Sequence, residues 1–285
     1  MSLPAGRPFL PEYRLLPHRL VNGAAGILAR ARRPRVLIQR MIRAWIVRGG
    51  LDLSDFEPGP FESLEALFLR RLRPGARPPG QGVVSPVDGE VVDAGTLAPW
   101  ILLHVKGRAV PAERLVGGGP LGRLVGGAYV VVFLPPGGYH RVHMPDDGEI
   151  VGCRRVRGRF FPMSPDESRN VRDVYLRNER VALRCRLDRG GELYVVLVGA
   201  SLVGGIQLEG LPRRSWARGG AETPVSLPRR RGDEIGRFTF GSTVIVLAEG
   251  PAVPLVAAGE TVRMGRPLIA PAGTAPGTGG PGAGS

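Results

Sequence analysis

Glycine and proline occur throughout this chain, and their abundance limits the length of any regular element. The 285 residues include 43 glycines and 28 prolines, close to a quarter of the total. Both residues interrupt helices and favour turns, so long helical bundles are disfavoured. From Val83 onwards, short runs rich in β-branched residues lie between them, which is typical of strands. The composition therefore predicts a fold of short strands joined by many turns.

Four of these runs stand out as candidate strands. They cover residues 89–94, 128–134, 193–198 and 243–247. The second run is apolar nearly throughout, which is typical of a strand covered on both faces. Helical patterns gather near the amino end of the chain. We therefore expect an α+β fold, with a β-rich body and amphipathic helices at the amino terminus.

The amino-terminal region mixes apolar side chains with arginine. Residues 13–48 contain no acidic residue, and Ile38, Ile42 and Trp45 recur among the arginines at roughly helical spacing. An amphipathic helix of this kind can lie in a membrane interface, with its apolar groups towards the acyl chains and its guanidinium groups at the phosphates. The pattern fits equally well a surface helix that packs on its own domain, so both interpretations stay open.

The formal net charge of +14, almost all of it from arginine, indicates an anionic partner. Nucleic acid, anionic lipid headgroups and acidic substrates all qualify, and charge alone cannot rank them. No run of roughly 18 uncharged apolar residues occurs, so we expect no membrane-spanning helix. Any contact with a membrane is therefore expected to be peripheral.

Changes of amino-acid composition and hydrophobic pattern along the chain suggest three regions. A second helix is predicted over residues 62–72, where leucines and Phe68 share one face before Pro74 ends the pattern. Beyond about Pro271 only small residues and proline remain, which predicts disorder. We expect a helical, basic, membrane-associating region (1–75), a β-rich catalytic domain (76–270) and a disordered tail (271–285).

Three short polar clusters interrupt the apolar runs at predicted strand ends, where catalytic groups usually lie. They place an aspartate, two histidines and a serine in turns. The clusters are Ser85-Pro86-Val87-Asp88-Gly89, Tyr139-His140-Arg141-Val142-His143-Met144-Pro145 and Phe240-Gly241-Ser242-Thr243.

Ser242 is a candidate nucleophile because Gly241 before it has no β-carbon to shield its carbonyl. The Ser242 hydroxyl can attack that carbonyl to form an ester. Elimination across the ester cleaves the chain and leaves dehydroalanine, which hydrolyses to a pyruvoyl group. A serine needs an adjacent base, ordinarily a histidine oriented by a carboxylate. Taken alone, however, Gly-Ser-Thr also fits an ordinary turn that leads into a strand.

His140 and His143 are the candidate bases. They follow two prolines and two glycines that oppose a helix, so the two rings need not share a face and can have separate roles. Both can also serve packing alone, and Asp88 before Gly89 can form a simple Asx turn. No HExxH motif or Cys/His cluster is present, so we expect no bound metal.

The combination of motifs resembles the phosphatidylserine decarboxylase family. The resemblance runs from the amino-terminal third almost to the end of the β-rich region, and so many motifs in the same order rarely coincide by chance. Besides the three clusters above, it includes the segment 61–74, Val105-Lys106-Gly107, Asn178-Glu179-Arg180-Val181, Val198-Gly199-Ala200 with Val203-Gly204, and Gly232-Asp233-Glu234-Ile235-Gly236-Arg237-Phe238.

This resemblance implies a self-processing, pyruvoyl-dependent carboxy-lyase that converts phosphatidylserine to phosphatidylethanolamine and CO2 through a Schiff base. Asp88 would orient His143, His143 would take the proton from Ser242, and His140 would serve decarboxylation. Cleavage between Gly241 and Ser242 would leave a heavy chain (1–241) and a light chain (242–285) with the covalent pyruvoyl group, derived from Ser242, at its amino end.

The resemblance also implies a homodimer that acts in phospholipid biosynthesis at the cytoplasmic side of the cell membrane. Its partners would be phosphatidylserine and the anionic membrane surface, and not nucleic acid. Two other classes remain open: a serine hydrolase that uses Ser242 without self-cleavage, and a non-catalytic basic membrane-binding protein. The first predicts an intact chain with a reactive serine, and the second predicts neither cleavage nor reactivity.

Overall fold

A computed structural model describes most of the chain. The described residues are 26–98, 102–105, 108–119, 121, 124–164, 171, 173–200, 205–216, 219–239 and 242–273. The first part of the predicted amphipathic segment, Gly241 and the predicted tail from residue 274 lie outside these ranges, so those predictions remain predictions.

The described helices are short, apart from one near the amino end. They are α1 (described over residues 26–30), α2 (Arg35–Gly49), α3 (Leu64–Phe68), α4 (Ala112–Val116), α5 (Val174–Arg177) and α6 (Arg213–Trp216). Helix α2 confirms the helical pattern expected there. Its Ile38 and Ile42 are buried against Leu64 and Leu67 of α3, and Gly50 ends the helix in a left-handed conformation with φ of 57°. Of the described helices, none is long and apolar enough to cross a bilayer.

Helix α3 is shorter than the eleven-residue helix predicted from the sequence. Ser63 caps its amino end, with the hydroxyl accepting a hydrogen bond from the Ala66 amide at 3.1 Å. Its carboxyl end is cut short because Arg141 takes the carbonyls of Leu69 and Arg70, at 2.6 and 3.2 Å. A tertiary contact therefore replaces the last predicted turn.

Sixteen strands are described, arranged in four antiparallel sheets. An eight-stranded sheet has the order β11-β7-β8-β9-β13-β5-β2-β15, and three smaller sheets have the orders β10-β12-β6, β1-β16-β14 and β3-β4. The strands are β1 (Val83–Val84), β2 (Gly89–Thr96), β3 (Leu102–Val105), β4 (Arg108–Pro111), β5 (Ala128–Leu134), β6 (Arg141–His143), β7 (Gly148–Val156), β8 (Arg180–Leu187), β9 (Glu192–Gly199), β10 (Ile206–Leu208), β11 (Thr223–Arg229), β12 (Glu234–Phe238), β13 (Ser242–Ala248), β14 (Ala252–Pro254), β15 (Thr261–Val262) and β16 (Pro267–Pro271).

The middle of the large sheet is buried on both faces. Every residue of β5 and β13 is buried. Along β5, Val130, Val132 and Leu134 belong to one hydrophobic cluster, while Tyr129 and the alternate residues belong to a second cluster. Since successive side chains of a strand point to opposite faces, the sheet separates two cores. The α+β class with a β-rich body is thereby confirmed, as is the double coverage expected for β5.

Candidate active site

Ser242 is the first residue of β13, at the end of the central strands. It pairs with Leu134 at the end of β5 and with Gly199 at the end of β9. Its side chain is fully buried, and among the described residues its Oγ has no hydrogen-bond partner. An unpaired buried hydroxyl costs about 1–3 kcal/mol, so this position carries a stability penalty.

His140 lies near the same end of the sheet because two connecting segments of the chain run side by side there. The segment after Leu134 leads to His140, and the segment after Phe238 leads to Ser242. Leu134 pairs with Ser242, and the Phe238 amide donates to the His140 carbonyl at 2.9 Å. The start of each segment is therefore adjacent to the end of the other: Leu134 to Ser242, and Phe238 to His140. The His140 backbone is therefore held close to the start of β13.

Asp88 also lies at this end of the sheet. It immediately precedes β2, and the pairing of Glu90 with Phe133 brings Gly89 level with Leu134. Strands β2, β5 and β13 are consecutive neighbours, and neighbouring strands lie roughly 4.8 Å apart. The backbones at Asp88 and Ser242 are thus separated by about two strand spacings, roughly 10 Å. An imidazole ring between them can bridge such a gap.

The Asp88 carboxylate is held by two donors. Its Oδ1 accepts from the Arg77 guanidinium at 2.5 Å and from the Met264 amide at 2.8 Å. Arg77 also donates to Asp55 at 2.9 Å. Burial opposes the charge on Arg77, but the ion pairs with Asp88 and Asp55 outweigh it, so the pKa of Arg77 is raised.

His143 has a hydrogen bond at each ring nitrogen. Its Nδ1 lies 2.7 Å from the Gly232 carbonyl and its Nε2 lies 2.7 Å from the Tyr139 hydroxyl. A carbonyl only accepts, so Nδ1 carries the proton and the lone pair of Nε2 accepts from Tyr139. Burial raises the pKa of Tyr139, which keeps its hydroxyl protonated and able to donate. The basic atom of His143 is therefore engaged by Tyr139.

His140 presents a different arrangement. Its Nδ1 donates to the Gly138 carbonyl at 3.0 Å, which leaves the lone pair on Nε2. Nε2 is buried and has no hydrogen-bond partner among the described residues. Burial lowers the pKa of His140 to about 4, against a partial opposing effect of the Gly138 carbonyl. His140 is neutral near pH 7 and carries a free basic nitrogen.

Burial also lowers the pKa of His143, while the Gly232 carbonyl and the charges of Glu234 and Asp88 act in the opposite direction. Asp88 is near enough to act on His143 through its charge. Within the described ranges, no hydrogen bond joins Asp88 to His143 or His143 to Ser242. The structure places Asp88, His140 and Ser242 near one end of the sheet and His143 within reach of the Asp88 charge. The triad of Asp88, His143 and Ser242 stays a prediction.

A cavity of about 1010 Å³ opens beside these residues, and sequence reasoning did not find it. Asp88 and Tyr139 line one side, and Met41 and Trp45 of α2 line another. Buried Arg70 lies in its wall with Arg77. In the sequence these two arginines stand in an arginine-rich stretch, where nothing marks which of them is buried. Among the described residues, no group of three or more His, Cys, Asp or Glu side chains could hold a metal ion.

Comparison with known proteins identifies the family. The profile of the phosphatidylserine decarboxylase family matches residues 64–270, well over half of the chain. The chain is 39% identical to a phosphatidylserine decarboxylase proenzyme of Anaeromyxobacter sp. (strain K), covering 92% of this chain and 98% of the relative. It is 35% identical to a proenzyme of the same name from Acidovorax ebreus (89% and 93% covered) and 36% identical to one from Bordetella pertussis (94% and 95% covered).

The matched region includes every candidate site residue, from Asp88 through His140 and His143 to Ser242. The relatives are matched over nearly their full lengths, so the likeness is not confined to one motif. The chain therefore belongs to the phosphatidylserine decarboxylase family of enzymes, as its motifs indicated.

Proposed function

We propose that the chain cleaves itself between Gly241 and Ser242, converts Ser242 into a pyruvoyl group, and then decarboxylates phosphatidylserine to phosphatidylethanolamine. The observation that carries the proposal is the fully buried Ser242 hydroxyl at the start of a central strand, without a partner among the described residues. A hydrolase would need this hydroxyl to reach an external substrate. A serine that attacks its own backbone needs no such access at that step, which favours self-cleavage over the hydrolase alternative. Residue 242 would meet the lipid amine only after scission has freed it from Gly241.

The cleavage balances without an external oxidant or reductant. The Ser242 Oγ bonds to the Gly241 carbonyl carbon as the Gly241–Ser242 amide bond breaks, giving an ester and a free amine. Loss of the Ser242 α-proton and rupture of its Cβ–Oγ bond release the Gly241 carboxylate and leave dehydroalanine. Tautomerisation and addition of water then expel ammonia and leave the pyruvoyl group.

His143 is the proposed base for this reaction, with Asp88 orienting it. Its depressed pKa keeps the imidazole neutral, as a base requires. To accept the proton from Ser242, its Nε2 must exchange the hydrogen bond from Tyr139 for one from the serine. The negative charge of Asp88 would then stabilise the imidazolium that forms.

The surroundings of residue 242 fit the product of this reaction. The change from serine to pyruvoyl replaces a buried hydroxyl that lacks a partner by a methyl group, which needs none. When formed, the pyruvoyl group supplies a carbonyl that joins the substrate amine as a Schiff base and accepts the electron pair released with CO2. His140 is neutral, and its free Nε2 is the proposed group that takes up the proton lost by the substrate amine and then returns it to the α-carbon after CO2 leaves.

Helices α1 and α2 are the proposed membrane-docking surface, on the cytoplasmic side of the cell membrane. Several apolar side chains there are exposed, including Ile27 at 73%, Val36 at 66% and Val47 at 78%. Helix α2 also carries four arginines and no acid. Exposed apolar groups beside unbalanced positive charge complement an anionic bilayer surface. The cavity lies against α2, so a lipid headgroup could enter it while the acyl chains stay in the bilayer.

The assembly is proposed to be a homodimer in which each copy holds a heavy and a light chain. The support is the family resemblance. Sedimentation equilibrium of the purified protein tests it, and a single-copy mass would contradict it.

Denaturing mass spectrometry of the wild-type protein and Ser242→Ala tests the central proposal. We expect two wild-type chains that meet at residues 241 and 242, with the light chain blocked by a group that has lost ammonia. Ser242→Ala should remain one inactive chain. Thr243→Val is the matched control, because Thr243 is also buried with a hydroxyl that lacks a partner. It should be cleaved like the wild type. An active wild-type enzyme with a continuous chain would overturn the proposal.

A further inference from the structure

Two arginines lie in the wall of the cavity beside the candidate active site, the buried Arg70 and the partly buried Arg77, and their partners differ. Arg77 is balanced by carboxylates, since it donates to both Asp55 and Asp88. Arg70 is only 6% exposed and donates to two carbonyls, those of Leu67 at 3.1 Å and Gly137 at 3.2 Å. None of the described residues supplies a carboxylate to Arg70.

The donors of Arg70 are also incompletely used. A guanidinium has five N–H groups. Two of those on Arg70 have acceptors, and its Nε is buried without one among the described residues. Arg180 shows what a purely structural buried arginine looks like in this protein. It makes four hydrogen bonds to carbonyls, at 2.6 to 3.2 Å, and is absent from the cavity wall.

Arg70 keeps its charge despite its burial. Burial lowers its pKa to about 10, so the group remains protonated near neutral pH. Its guanidinium lies 4.4 Å from the centre of the Phe56 ring. This contact helps to hold the planar guanidinium group in one orientation. A fixed, buried cation with spare donors in the wall of a cavity is suited to bind an anion.

The position of Arg70 connects the cavity to the reacting end of the sheet. Its bond to Gly137 attaches it to the turn between Leu134, which pairs with Ser242, and His140. The cavity wall also holds apolar side chains, including Met41, Trp45 and Phe56. An anion at Arg70 would therefore lie between the reacting groups and an apolar surface.

We propose that Arg70 binds the phosphodiester of the lipid headgroup and thereby positions the serine moiety at residue 242. This inference rests on the proposed function. The other candidate anion is the substrate carboxylate, whose negative charge leaves it as CO2 forms. A cation paired with that carboxylate would stabilise the ground state more than the transition state and slow the reaction. The phosphodiester keeps its charge throughout, so a cation can hold it without that penalty.

Arg70→Met tests the role, and Arg263→Met is its matched control. Arg263 lines the same cavity, but it is exposed and its charge is already paired with Asp55 at 3.4 Å. With phosphatidylserine in mixed micelles, we expect Arg70→Met to raise KM on the order of tenfold or more, with a much smaller change in kcat. Arg263→Met should leave KM within about twofold of wild type. Arg70→Lys, which keeps the charge but lacks the fork, should lie between them.

Two soluble probes separate the anions. Glycerophosphoethanolamine carries the phosphodiester without the carboxylate, and free serine carries the carboxylate without phosphate. We expect Arg70→Met to weaken inhibition by glycerophosphoethanolamine and leave inhibition by serine unchanged. The opposite pattern, or a KM indifferent to Arg70, would overturn the assignment.

Binding can be measured independently of processing, in case Arg70→Met is not cleaved. Glycerophosphoethanolamine should raise the Tm of the Ser242→Ala variant. It should not raise the Tm of a double variant that carries both Ser242→Ala and Arg70→Met. An equal rise in both proteins would contradict the proposal. Failure of the proposed function looks different, because the wild-type enzyme itself would then release no CO2 from phosphatidylserine.

Discussion

The reacting end of the central sheet and the surface of helix α2 depart from the usual distribution of polar and apolar groups in opposite ways. At the sheet end, Ser242 Oγ and His140 Nε2 are buried without hydrogen-bond partners among the described residues. On α2, Val36, Leu37 and Val47 are more than half exposed. The first arrangement buries polar atoms that favour water, and the second exposes apolar groups that avoid it.

Both departures cost stability, and no contact among the described residues compensates for either of them. Selection for stability alone would give the buried Ser242 hydroxyl a hydrogen-bond partner or replace it, and would bury or replace Val36 and Val47. Under the proposed function, the comparison assigns the two regions different tasks, chemistry at the sheet end and membrane attachment at α2. Each task can be tested by changing one region and measuring whether the other is affected.

The largest effect is expected from His140→Gln. The variant should still be cleaved at residue 242, but CO2 release per processed chain should fall by about 100-fold or more, because the positioned base that takes up and returns the substrate proton is lost. Cleavage is measured by mass spectrometry and decarboxylation by CO2 release, and vesicle binding through α2 should not change. His143→Gln is the control and should stop cleavage itself. Full decarboxylation by His140→Gln would remove His140 from the mechanism.

A second effect concerns pH. The pKa of His140 is about 4 in the folded protein, below its ordinary value of 6.5. The unfolded chain therefore takes up a proton as pH falls below 6.5 while the folded protein does not, so stability is lost on acidification through this window. Between pH 7 and 5 this histidine should account for about 2 kcal/mol. The fall is measured by urea unfolding of Ser242→Ala, which stays a single chain.

The matched protein for this experiment carries His140→Gln on the Ser242→Ala background. It should lose less stability between pH 7 and 5, by about the same 2 kcal/mol. His143 acts in the same direction in both proteins and cancels from the difference. Identical pH slopes would show that His140 is not buried in its neutral form.

The smallest effect belongs to α2. Arg43 lies on its exposed surface, and Arg43→Gln should weaken binding to anionic vesicles by about fivefold, since one arginine near such a surface contributes about 1 kcal/mol. Binding to zwitterionic vesicles should be unchanged. The control is Arg186→Gln, which removes an exposed arginine from β8. If both variants lost the same affinity for anionic vesicles, the binding would depend on net charge alone and not on a docking surface at α2.

The sequence predicted the central strands well because their pattern depends on burial alone. Continuous apolar runs gave β5, β9 and β13 to within a residue at each end. Strands β7 and β8 were missed because arginines interrupt their apolar residues. No strand was predicted at β11, whose burial alternates at every position. Its two prolines are residues that strands disfavour.

The candidate site residues could be named from the sequence because each stands in a local motif, and their roles stay predictions. Their contacts could not be named in that way. His143 bonds to Gly232, 89 residues away in the chain, and such a pairing depends on the packed fold. The hydrogen bond from Tyr139 to His143 lies within one quoted motif, yet only the structure places the two rings 5.6 Å apart and nearly parallel. The contrast between Arg70 and Arg77 is likewise invisible in the sequence, where both are arginines of one basic stretch.

The placement of β13 has a further consequence for how the protein matures. All seven residues of this strand pair with β5 on one side and β9 on the other. A chain cut just before Ser242 would keep its smaller fragment threaded through the middle of the sheet, so the two pieces cannot separate without dismantling the core. Denaturation would then become a dissociation, and recovery would depend on protein concentration. Only the uncut precursor could refold as one molecule. Folding must therefore precede cleavage during maturation.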